Sequence, residues 1–390
     1  MFRLSQFIKE IYQPTPAVKR SPPGPVVIWN LIRRCNLNCR HCYSISSDTD
    51  FDGELTLPEV ETVMKDLRDF GVPVLILSGG EPLLRPDIFD ISRHAKELGF
   101  YVALSTNGTP INEQLADRIA EIGYDYVGVS LDGIGTVHDA FRRKKGAYQE
   151  ALTGIRLCKE RDVKVGLRFT MTERNDRSFV ELLDLADSEN IDKFYLSHLV
   201  YAGRGNQYRG DDAAHLTTRE AMDILLDRAL ENYHAGRNRE IVTGNNDADG
   251  VYFYHWVKER FPESAAHIRA KLAAWGGNAS GVNVANIDNL GNVHPDTMWW
   301  HHDLGNVRDR RFSEIWRDTS DPIMAGLKAN PRNIKGRCGE CAHFDICGGN
   351  TRVRALQLND DPWGEDPACY LSDAEIGIEN IGPQTAVARS

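Results

Sequence analysis

The chain has 390 residues, with 46 basic against 56 acidic side chains and a formal net charge of −10. Hydrophobic residues at 41 % and charged ones at 26 % can bury a sizeable core, which excludes intrinsic disorder and collagen-like repeats. Without long Lys/Arg blocks or a run near the roughly 20 apolar residues of a membrane span, a cytoplasmic protein is expected, with a small-molecule partner and neither nucleic acid nor membrane.

Residues 1–24 are read as an N-terminal extension. Apolar, β-branched runs at 26–32, 72–77, 100–105, 126–131, 163–170 and 194–200 predict six strands. Helical segments at 57–70, 86–98, 112–122, 148–161 and 177–190 alternate with them, the first capped by Thr56 and stopped at Gly71. Alternation with short connections requires parallel strands joined by helical crossovers. The fold class is therefore α/β, a partial (β/α)6 TIM-like barrel over 25–240, whose functional groups gather in the loops after the strands. Further helices are expected at 217–237 and within 251–275. A C-terminal unit over 241–370 holds a hairpin at 282–293, a short helix at 312–317 and loop from Cys338 onward, followed by a polar tail at 371–390.

Cys35, Cys39 and Cys42 form a C-x3-C-x2-C triad directly after the first strand. Three thiolates on one tight loop can hold three irons of a cubane and leave the fourth open to a chelating molecule. A structural zinc site would need a second short pair nearby, and none is present. The triad resembles the signature of radical S-adenosylmethionine (SAM) enzymes. Further features of that family stand at successive strand ends, so the resemblance covers residues 26 to about 205.

The resemblance implies roles for individual residues. Gly79, Gly80, Glu81 and Pro82 would hold the methionine part of SAM, with Glu81 receiving the ammonium. Ser105, Asn107 and Ser130 would meet ribose or carboxylate oxygens, and Arg142 would pair with the SAM carboxylate. His41 and Leu199 would pack near the adenine. Arg168, on the fifth strand, needs an anionic partner: a SAM or substrate carboxylate, or a core acid.

Cys338, Cys341, Cys347 and Cys369 form a second set, which by spacing alone suits either a [4Fe–4S] cluster or one zinc ion. The resemblance shifts this reading to iron and sulfur, in an extension of the SPASM or twitch type. Asp296 stands where full SPASM domains usually have a cysteine, so one auxiliary cluster is expected, with Cys369 the least secure ligand. Cys158, alone on a helical face, is read as structural.

Trp299, Trp300, His301 and His302 suit a flat aromatic ligand with a metal centre, and Arg204 lies on a glycine-rich loop after the sixth strand. Together with the segments at 25–35, 242–250 and 294–302, they resemble the NirJ family of heme d1 biosynthesis over nearly the whole chain. The resemblance implies an iron tetrapyrrole substrate, 12,18-didecarboxysiroheme, from which two propionates are removed through a 5′-deoxyadenosyl radical. It also implies a one-electron donor such as flavodoxin or ferredoxin. Competing expectations are a decarboxylase or deacetylase of the alternative heme pathway, a peptide-maturing enzyme, and a zinc-stapled binding module.

Overall fold

The computed structural model describes residues 1–19 and 24–378. Helix α1 (Leu4–Tyr12) precedes the first strand, and the six expected strands are β1 (Val26–Asn30), β2 (Val74–Ser78), β3 (Tyr101–Thr106), β4 (Tyr126–Ser130), β5 (Val165–Met171) and β6 (Lys193–His198). They pair in parallel in sequence order. Each return passes through helix: α2 (Leu57–Asp69), α3 (Ile88–Glu97), α4 (Glu113–Ile122), α5 (Thr136–Arg142) with α6 (Ala147–Lys159), and α7 (Phe179–Ser188).

Local chemistry sets these helix ends. The Thr56 N–H donates to the Glu59 carboxylate at 2.7 Å, and α2 then buries Val60, Val63, Met64 and Leu67 against the sheet. Asn112 caps α4 by accepting from the Leu115 N–H at 2.9 Å, and Gly123 ends it at φ +67°. Cys158 is fully buried in the core, as a structural thiol.

Beyond β6 the structure differs from the expected layout. After α8 (Arg204–Gln207) and α9 (His215–His234), a seventh strand, β7 (Glu240–Gly244), pairs in parallel with β6, so the sheet continues through position 240. Its apolar run is only Ile241 and Val242, too short to stand out as a strand. The N-terminal extension packs on this edge: Phe2 and Thr243 exchange backbone hydrogen bonds of 2.8 and 2.9 Å. The Phe2 ring sits 4.9 to 5.6 Å from Phe7, Phe253 and Trp275.

Two helices, α10 (Ala248–Arg260) and α11 (Ala265–Trp275), occupy the aromatic segment as expected. The hairpin β8 (Val284–Ile287) and β9 (Asn292–His294), with β10 (Gly305–Asn306), is not a separate sheet. β8 lies parallel to β1, giving one ten-stranded sheet in the order β10-β9-β8-β1-β2-β3-β4-β5-β6-β7.

The short helix is present as α12 (Phe312–Arg317), followed by α13 (Pro322–Lys328). The region from Cys338, expected as loop, contains α14 (Gly336–Gly339), α15 (Phe344–Cys347) and α16 (Arg352–Asn359). α16 buries Arg352 and Arg354 beside Val353 and Ala355, so it lacks the apolar period that marks a helix in sequence. The tail also begins as packed structure, because Leu371, Ile376 and Ile378 are buried and Ala342 N–H donates to the Ile376 carbonyl at 2.9 Å. The rest of that tail, 379–390, and residues 20–23 lie outside the described residues.

Candidate active site

The cysteine loop leaves β1 at the carboxyl ends of the parallel strands. Cys35 and Cys39 are buried and Cys42 is half-buried. Hydrogen bonds reach the sulfurs directly: Asn107 Nδ2 donates to Cys35 Sγ at 3.7 Å, Arg142 Nη1 to Cys39 Sγ at 3.4 Å, and Ser46 N–H to Cys42 Sγ at 3.4 Å. Such donors stabilise thiolates and set the potential of a cluster that they hold. Burial pushes the Cys35 and Cys39 thiols up, so without metal they stay protonated and loading must release protons.

Arg204, expected in a substrate pocket, instead holds this loop. Its Nε donates to the Cys39 carbonyl at 2.7 Å, its Nη1 to the Ser46 carbonyl at 3.0 Å, and its N–H to the Cys42 carbonyl at 2.9 Å. Gly203, at φ +53°, admits the close approach, since a Cβ there would come within 2.3 Å of the Tyr43 carbonyl.

The glycines after β2 also serve the loop. A Cβ on Gly79 would lie 2.5 Å from the Ile32 oxygen, and one on Gly80 2.2 Å from the Arg34 oxygen. The Gly80 and Glu81 N–H groups donate to those same carbonyls at 2.6 and 2.9 Å. Glu81, expected to receive an ammonium group, already accepts three hydrogen bonds from the protein. It is fully buried and accepts from Thr106 Oγ1 and Asn107 N–H, both at 2.7 Å, and from Leu83 N–H at 3.1 Å. Burial raises its pKa to about 7 while these donors pull it back. Pro82 opens the short turn that follows.

Arg142, expected on the SAM carboxylate, is ion-paired with Asp132 in the protein interior. Burial alone would raise the Asp132 carboxyl, but Arg142 and His41 hold it below the usual range. Burial depresses His41 and His138 to about 4. His138 Nδ1 accepts from the Asp132 N–H at 3.0 Å, which places the neutral ring's proton on Nε2. His138 Nε2, His41 Nδ1, Arg142 Nε and Arg204 Nη2 are all buried without hydrogen-bond partners. Buried polar atoms left open together mark where a polar ligand or bound water completes a site. Beside them His41, Phe141, Thr172 and Leu199 line a cavity of about 170 Å³, closed by Arg40, Tyr208 and Asp211.

Inside the barrel, Arg168 bonds the Ser105 hydroxyl, lies 5.5 Å from the Tyr195 ring centroid and is the register neighbour of Ser130. No carboxylate pairs with it among the described residues. A cation in the barrel without an anion suits a ligand carboxylate.

The aromatic and histidine group is divided. Trp299 is 1 % exposed and packs with Val200, Ala202, Leu327 and Val353, so it belongs to the core. His302 is held by Asp321 at 3.1 Å, the residue that caps α13. Trp300 remains partly open, stacked on His294 at 5.8 Å and edge-on to Tyr43 at 5.9 Å; His301 is exposed, stacked against Trp299.

Cys338, Cys341, Cys347 and Cys369 line one cavity of about 370 Å³ with Phe344, Leu371 and Ile376. Arg337 Nη1 donates to Cys369 Sγ at 3.3 Å and Asp366 N–H to Cys338 Sγ at 3.4 Å. No three His, Cys, Asp or Glu among the described residues are grouped to hold a single metal ion. Four thiols spread round a cavity suit a cubane better than one tetrahedral ion with bonds of about 2.3 Å.

His138, Arg337, Arg354 and Asp366 were not singled out in the sequence. Arg337 stands next to Cys338 and could have been weighed as a sulfur donor; the other three carry no local signal, because no motif marks the spacing of His138 to Asp132 or of Arg354 to Asp366.

Residues 29–186 match the model of the radical SAM superfamily. The chain is 59 % identical, over 97 % of its own length and 94 % of the relative's, to pre-heme d1 synthase of Dinoroseobacter shibae. It is 44 % identical to Fe-coproporphyrin III synthase of Methanosarcina barkeri over 90 % of this chain and 89 % of that one. Among solved structures, SuiB of Streptococcus suis bound to its precursor peptide superposes with a TM-score of 0.71 at 16 % identity, covering 93 % of this chain and 78 % of that one. At that identity the likeness speaks for the fold alone. SAM and a [4Fe–4S] cluster are the cofactors that the superfamily match implies. Both the superfamily match and the full-length similarity place this chain in the radical SAM superfamily, in the group that includes pre-heme d1 synthase.

Proposed function

We propose that the protein is the radical SAM enzyme of heme d1 biosynthesis that removes two propionate side chains from 12,18-didecarboxysiroheme. The observation that carries this reading is the similarity to pre-heme d1 synthase along almost the entire chain. When bound, a cluster and SAM would supply the hydrogen-abstracting 5′-deoxyadenosyl radical chemistry that such a reaction needs.

Cys35, Cys39 and Cys42 hold the first cluster, with Asn107 and Arg142 donating to its thiolates. The cavity of His41, Phe141 and Leu199 receives the adenine. Ser105, Ser130 and Arg168 take a carboxylate of SAM or substrate within the barrel. Trp300 and His301 offer an aromatic face and an imidazole to the tetrapyrrole. The C-terminal thiols hold the second [4Fe–4S] cluster. A small one-electron carrier, flavodoxin or ferredoxin, supplies the reducing electron. No described helix is long and apolar enough to cross a membrane.

Anaerobic protein given SAM, reductant and didecarboxysiroheme tests the reading, with 5′-deoxyadenosine and tetrapyrrole mass followed by LC-MS. SAM-dependent loss at two propionates supports it. Change at other side chains supports the second reading, a decarboxylase or deacetylase of the alternative heme pathway, which the 44 % identity to Fe-coproporphyrin III synthase favours. Deoxyadenosine with an intact tetrapyrrole rejects the substrate. Iron content near eight per chain, about four per cubane, tests the two-cluster assignment.

A further inference from the structure

One buried ion pair is hydrogen-bonded both to a residue of the four-thiol cavity and to a residue of the cavity beside His41. Arg354 on α16 and Asp366, in the loop before Cys369, both have fully buried side chains and are joined at 2.9 Å. The other guanidinium nitrogens bond the barrel mouth: Nη1 donates to the Leu199 carbonyl at 2.9 Å and Nη2 to the Asn245 carbonyl at 2.7 Å. Leu199 is a wall of the cavity beside His41. On the other side, the Asp366 main chain serves the thiols, donating to Cys338 Sγ at 3.4 Å and accepting from the Cys369 N–H at 3.2 Å. The Asp366 carboxylate is itself fixed by the Ala368 N–H at 2.9 Å.

A planar guanidinium that reads two carbonyls and a carboxylate has one geometry in which all bonds are made. Gathering Cys338 and Cys369 round a common centre fixes Asp366, hence Arg354, hence the wall at Leu199. We propose that Arg354 is a positioning residue for the SAM pocket, and that through it filling of the C-terminal thiol site tightens SAM binding in the barrel. This rests on the two-cluster reading above. Linkage makes the effect reciprocal, so SAM also secures the second cluster.

Equilibrium binding of SAM to anaerobically loaded protein tests this. Fully loaded protein is expected to bind SAM about tenfold more tightly than a Cys338→Ser/Cys341→Ser variant that keeps only the first cluster, a coupling of ordinary size. In an Arg354→Lys background, where one ammonium cannot span all three partners, removing the second cluster is expected to change affinity less than about twofold. Arg354→Lys is also expected to raise the KM for SAM in reductive cleavage with kcat little altered. If that variant fails to keep the first cluster, Asp366→Asn, which retains an oxygen for the Ala368 N–H, serves with the same expectation. Eight irons in the native protein with equal SAM affinities in the loaded protein and the double-serine variant overturns the coupling alone. About four irons in the native protein overturns the second cluster and the coupling with it.

Discussion

Glu81 shows how a motif residue can organise the backbone round a site. Its carboxylate faces two N–H groups and a hydroxyl in the interior. Glu81→Gln would turn an amide donor toward those donors, so denaturant unfolding is expected to show a loss of about 1–3 kcal/mol. His138 permits a pH test. Its native pKa is about 4 because of burial, against about 6.5 when unfolded. Between those values the unfolded chain binds a proton that the native chain does not, so stability falls as pH drops from 6.5 toward 4 and is restored above. This residue contributes about 2 kcal/mol of that loss at pH 5, and His138→Gln is expected to flatten the slope in unfolding curves at pH 5 and 7. At this scale the sequence revealed which residues matter more readily than what they touch. The cysteine triad stands out by spacing, and Glu81 and Arg142 by the resemblance it carries, but the partner of Arg142 is Asp132, ten positions away, and no spacing rule names it.

The turn after β2 is the element that seats the cysteine loop. Its two glycines lie against carbonyls of residues 32–34, immediately before Cys35. Gly80→Ala puts a methyl 2.2 Å from the Arg34 oxygen. It is expected to cost about 1–3 kcal/mol by overpacking and to lower reconstituted iron by about four per chain, which iron analysis reads. The helices of the first half were legible because each carries an apolar stripe and caps of its own. β7 and α16 were not: one is too short, and the other buries arginines whose partners are a carboxylate in the loop after the helix and carbonyls as far off in the chain as Leu199 and Asn245.

For the whole molecule, the decisive feature is that β8 extends the barrel sheet along β1. A chain ending before residue 279 loses the core side chains of Ile287, Val293, Phe312, Ile315 and Trp316 and strips one neighbour from the strand that leads into the cysteine loop. Such a truncation is expected to aggregate, with most of the protein in the insoluble fraction on sedimentation, through the exposed β1 edge. A hairpin was readable at 282–293, but its neighbour was not, because side-chain alternation tells which face is buried and not which strand lies beside it. The same pairing orders events in time. The Asn286 side chain reaches the backbone of Ile28 across 258 positions, so the strand that delivers Cys35 stays half-paired until about three-quarters of the chain has been made. At about 5–20 residues per second that interval is roughly 13–50 s. Iron and sulfur supplied to the nascent chain would meet a loop without its frame, and delivery to the finished protein is the route that this sheet imposes.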